Sequence, residues 1–106
     1  MIVDVHYHLI PVLPESTAEM WVGPLLKSAR NMGKQITREA LVKKMVEQIP
    51  DPMGERLLAS MEESGIDFTC ACVIDHADYD LLTPEIVQMQ NKIVGRIAQE
   101  NPDRVL

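Results

Sequence analysis

Two β-rich segments, residues 2–9 and 66–74, are separated by stretches of helical periodicity, and Val105 and Leu106 begin a third apolar segment after another helix. The order β, α, β, α, β constrains the chain strongly. Strands alternating with helix-length connections run parallel, with the helices as crossovers. A parallel strand is ordinarily paired on both sides and covered on both faces. Two strands and the beginning of a third therefore predict a piece of a larger sheet, although 106 residues are enough to bury a core.

The signals for each element are local. Thr37 reads as the N-cap of a helix with Leu41, Val42, Met45, Val46 and Ile49 along one stripe, stopped by Pro50 and Pro52. Asp51 reads as the next cap and Pro52 as a first-turn residue. Leu57, Leu58 and Met61 then point inward, and Gly65 ends that helix in a left-handed conformation. Thr83 and Pro84 open a further helix carrying Ile86, Met89, Ile93 and Ile97, ended by Asn101 and Pro102. Residues 10–36 hold Pro11, Pro14, Gly23, Pro24 and Gly33 without sustained periodicity. They predict a long loop on the active-site side, with at most a short helix over 17–22. Trp21, the single tryptophan, lies within it and either pins the loop to the core or contacts a substrate.

Composition narrows the partners. Ten Lys and Arg against 16 Asp and Glu give a formal net charge of -6, which supplies no positive field for nucleic acid or an anionic membrane. The opening residues carry no basic leader or signal-type core, and no apolar run approaches the ~20 residues of a transmembrane helix. Cys70 and Cys72, two apart in the second strand, are read as reduced, small core residues of a cytoplasmic protein.

The first strand carries the chemistry. Alternation places Val3, Val5, Tyr7 and Leu9 on one face, and Ile2, Asp4, His6 and His8 on the other. Two histidines at i and i+2 have Cα atoms about 6.6 Å apart, so their rings can converge on one metal ion. Neutral imidazole suits zinc, iron, nickel or copper, and Asp4 is placed to orient a ligand from behind. The plainer reading leaves both histidines as half-buried strand residues with hydrogen-bond partners. Burying two imidazoles and a carboxylate on one face without a role is costly. Asp75 and His76, at the carboxyl end of the second strand, are candidates for a substrate pocket, with a surface-loop role for His76 as the alternative.

Residues 3–11, reading Val-Asp-Val-His-Tyr-His-Leu-Ile-Pro, resemble the opening of the amidohydrolase superfamily, in the amidohydrolase 2 branch that includes aminocarboxymuconate-semialdehyde decarboxylase. Residues 61–74 and 91–106 resemble later passages of the same branch, the last reaching the third strand through Asn-Pro-Asp-Arg. The resemblance implies a TIM barrel, a metal-dependent (β/α)8 fold. The chain would supply its first two βα units and the start of its third strand, as a single N-terminal domain fragment over 1–106. It also implies that His6 and His8 are two of the metal ligands, with zinc the leading divalent ion and the remaining ligands on later strands. The expected function is that of a hydrolase or decarboxylase acting on a small carboxylated molecule, inactive as the isolated chain. A reading from a different class is a non-catalytic α/β module whose histidine face lies in a homo-oligomeric interface, since open sheet edges recruit other chains.

Overall fold

The computed structural model describes residues 1–74 and 83–106, and it shows an α/β chain of four helices and a two-stranded parallel sheet. Its elements are β1 (Val3–Leu9), α1 (Glu15–Asn31), α2 (Arg38–Gln48), α3 (Glu55–Ser64), β2 (Phe68–Val73) and α4 (Pro84–Glu100). They fall into two compact units, one formed by Met1–Pro11 with Asp51–Leu106 and the other by Val12–Pro50.

The first unit holds the sheet. β1 pairs in parallel with β2, and on the other side of β2 the backbone of residues 104–106 runs parallel too. Thr69 N–H donates to Arg104 O, Leu106 N–H to Thr69 O and Ala71 N–H to Leu106 O, all at 2.8 to 2.9 Å. One face of this sheet meets α3 and α4 around a core of Leu9, Leu57, Met61, Ile97 and Val105, edged by Tyr7, Ala71 and Ile93. α3 begins at Glu55, three residues later than the Pro52 start predicted. Asp51 nevertheless caps it from a distance, its carboxylate accepting from Leu57 N–H at 3.0 Å. Gly65 closes the helix at φ 67°, and Thr83 caps α4 with Pro84 in the first turn, as the sequence predicts.

Arg104 fastens the sheet to the end of α3. Its guanidinium donates to the carbonyls of Asp67 and Ile66 at 2.9 and 3.2 Å and reaches the Glu62 carboxylate at 3.4 Å. Gly54 fills a different need. At φ 71° it lies so close to Ile97 that a Cβ would stand 2.8 Å from that side chain, so only glycine satisfies both the turn and the packing.

The second unit is a pair of packed helices, and here the loop expected over 10–36 is corrected. Residues 15 to 31 form one continuous helix, with Pro24 inside it. The proline removes a single backbone donor. The helix persists because Thr17, Ala18, Val22 and Ala29 bury one stripe at helical spacing. Arg38, in the first turn of α2, ties the pair with a 2.7 Å bond to the Glu19 carboxylate and another 2.7 Å bond to its carbonyl. Thr37 caps α2 as predicted, accepting from Ala40 N–H at 3.2 Å.

Candidate metal centre

β1 does not alternate in the way its sequence implies. Asp4 pairs with Thr69 but Tyr7 pairs with Ala71, so three steps along β1 match two along β2, and the strand contains a one-residue bulge. Across that register Asp4 joins the side of Thr69, Tyr7 and Leu9, whereas Val3 moves to the opposite side with His8. The expected apolar face of Val3, Val5, Tyr7 and Leu9 is thereby corrected: Val3 is 43% exposed and Val5 74%, and only Tyr7 and Leu9 join the core. Asp4 Oδ1 accepts from the backbone N–H of His6 at 3.1 Å. The carboxylate thus satisfies the His6 amide in the bulged segment.

The bulge leaves His6 and His8 together. Their Nε2 atoms are 2.8 Å apart and the rings meet edge to face, with centroids 4.5 Å apart and planes at 84°. At that distance one nitrogen carries a proton and the other accepts it. Both side chains are exposed, so they turn at little cost.

Register supplies a third donor. His8 pairs directly with Cys72 of β2, whose Sγ lies 3.6 Å from His8 Nδ1 and 3.6 Å from the Tyr7 carbonyl oxygen. One donor atom each from His6, His8 and Cys72 lies within 4.8 Å of the other two. His8 and Cys72 are each one residue from the carboxyl end of their strand. In parallel α/β folds that is the end where sites are built.

The cysteines therefore correct one expectation. Both are free thiols and half-buried, but neither belongs to the core cluster, and Cys72 faces the histidines. The single strand, read alone, could not reveal this, because the neighbour of His8 is 64 residues away and is set by register. Trp21 lies in α1, half-buried within the second unit. Asp75 and His76 lie outside the described residues.

Two imidazole nitrogens are a donor type that suits a transition-metal ion. In tetrahedral zinc, Zn–N bonds of 2.0–2.1 Å imply nitrogens about 3.3 Å apart. The observed 2.8 Å is a hydrogen-bond distance, about 0.5 Å shorter, and the exposed rings would have to open by that much to admit an ion. Comparison with protein-family models, curated proteins and solved structures finds no match for this chain.

Proposed function

We propose that His6 and His8 hold a divalent metal ion, zinc foremost, and that the chain is the N-terminal metal-binding part of an amidohydrolase-2-type hydrolase or decarboxylase. The observation that carries this reading is the approach of the two Nε2 atoms, 2.8 Å apart near the carboxyl end of a parallel strand. The β1–β2 pairing and the parallel bridge from Thr69 to Val105 are compatible with the opening of a (β/α)8 barrel. In such a site the metal polarises a substrate oxygen or activates water. The contribution of this chain is positional: the bulge and the Asp4 carboxylate set His6, and pairing with Cys72 sets His8. The substrate class proposed is a small carboxylated molecule. A cytoplasmic setting, where thiols stay reduced, accords with two free cysteines.

Elemental analysis of the purified protein tests the proposal. About one equivalent of zinc or a similar transition metal is expected, and loss of it in His6→Ala and His8→Ala. Metal-free protein that takes up none on incubation contradicts the reading.

A second reading rests on a separate observation. Val3 and Val5 are 43% and 74% exposed on β1, and Ile2 just before it 58%, where the strand pairs on one side only among the described residues. Such an edge recruits another strand, so the alternative is a self-associating α/β module. Light scattering coupled to size exclusion decides it, since a monomer at every concentration rules the module out. Among the described residues no helix is long and apolar enough to cross a membrane.

A further inference from the structure

We infer that Cys72 is the third protein ligand of the metal site, so that His6, His8 and Cys72 form a nitrogen–nitrogen–sulfur set carried entirely by this chain. The inference rests on the reading of His6 and His8 as ligands and adds the thiolate to it. Three protein ligands and one open position are the composition of a catalytic zinc site, so Cys72 would stand in place of the later-strand ligands that the resemblance implies.

Geometry favours the sulfur as a ligand. Zn–S of about 2.3 Å and Zn–N of about 2.05 Å place the sulfur and nitrogen of a tetrahedral site about 3.6 Å apart. Cys72 Sγ stands 3.6 Å from His8 Nδ1, so an ion shared with Cys72 would be held through Nδ1. The exposed His6 ring would then have to turn from His8 Nε2 towards that side. One donor atom from each of the three residues already lies within 4.8 Å of the others. His8 turns one nitrogen to His6 and the other to Cys72, and one ion takes only one of them. The alternative role for Cys72 is therefore to accept a hydrogen bond from Nδ1–H while Nε2 binds the metal. A thiol is a poor acceptor, and its other polar neighbour, the Tyr7 carbonyl oxygen, is also 3.6 Å away. Without a metal the sulfur has two weak contacts. As a thiolate it has a strong one.

The movable partners are on the correct side. Both imidazoles are exposed, whereas Cys72 is half-buried on β2 beside the residue that pairs with it, so the rings can adjust to a sulfur that is held. A thiolate with two imidazoles selects zinc, cobalt or cuprous copper over magnesium, calcium or manganese. Cys70, on the same strand, is not part of the cluster and serves as an internal control.

The test is a Co2+ titration of the reduced 106-residue chain followed by optical absorption. Expected are the visible bands of tetrahedral cobalt and a near-ultraviolet thiolate-to-cobalt charge-transfer band. Cys72→Ser should abolish the charge-transfer band and weaken cobalt binding by more than the about 10–100-fold typical of an outer-sphere partner. Cys70→Ser should change neither. Zinc should also protect Cys72 from alkylation in the unaltered chain, a measurement that requires no variant to fold. Cobalt bands without charge transfer, with Cys72 alkylated at the same rate with or without zinc, overturn the inference and leave the histidine pair standing. Failure to bind cobalt or zinc at all overturns both.

Discussion

His8 and Cys72 are cross-strand neighbours, and the His6 ring closes on the far side of the same imidazole, with its Nε2 2.8 Å from His8 Nε2. The arrangement gives His8 a partner on each nitrogen. A bound cation would replace the proton between the two rings and add binding energy that the unfolded chain lacks. At a hundredfold excess over Kd, that linkage amounts to about 2.7 kcal/mol and, for a chain of this size, a rise in Tm of roughly 10 °C. Thermal unfolding with and without zinc should show the rise in the unaltered chain and its absence in His8→Ala.

Gly54→Ala should destabilise the first unit by about 1–3 kcal/mol, because the new methyl group meets Ile97 and the residue must also hold a positive φ. The midpoint of urea unfolding reads this directly. A midpoint unchanged from the parent would contradict the close approach of this turn to α4.

Arg104→Met keeps the length of the side chain and removes the guanidinium from the carbonyls of Ile66 and Asp67 and from Glu62. The expected loss is about 1–2 kcal/mol, mostly from the two carbonyl bonds, since the ion pair with the exposed Glu62 contributes little. Amide hydrogen exchange should accelerate at Thr69 and Ala71, whose N–H groups bond to Arg104 and Leu106.

At the start of α4 the Thr83 hydroxyl, hydrogen-bonded to the Glu85 carboxylate, holds its pKa below the ordinary value of 4.5, with the Glu85 backbone N–H acting in the same direction. The lowered folded-state value means that this interaction supports the helix above the ordinary value and fades as the pH falls through the folded one. Thr83→Ala should move the Glu85 titration upward in carboxyl-detected NMR and fray the first turn of α4. An unmoved titration would show that the hydroxyl is not the cause.

Local signals carried most of the helix ends and one half of the site. Thr37, Gly65 and the Thr83–Pro84 pair each act within one turn of their own position, so they are visible without a fold, and the i, i+2 histidines are visible on one strand. What was hidden depends on long-range pairing. The burial stripe through Thr17, Ala18, Val22 and Ala29 outweighs Pro24, and this is apparent only once that face has something to bury against. The bulge after Asp4 arises from register with β2, as does the placement of Cys72 beside His8. A thiol two residues from another in a short apolar strand reads as packing until its cross-strand neighbour is known.

The most direct measurement is calorimetric titration of zinc into the metal-free, reduced chain. One zinc per chain is expected, with binding abolished or severely weakened in both His6→Ala and His8→Ala while the far-ultraviolet circular dichroism of each variant stays that of the parent. A flat titration, or heats that are the same in the double variant as in the parent, would contradict that expectation.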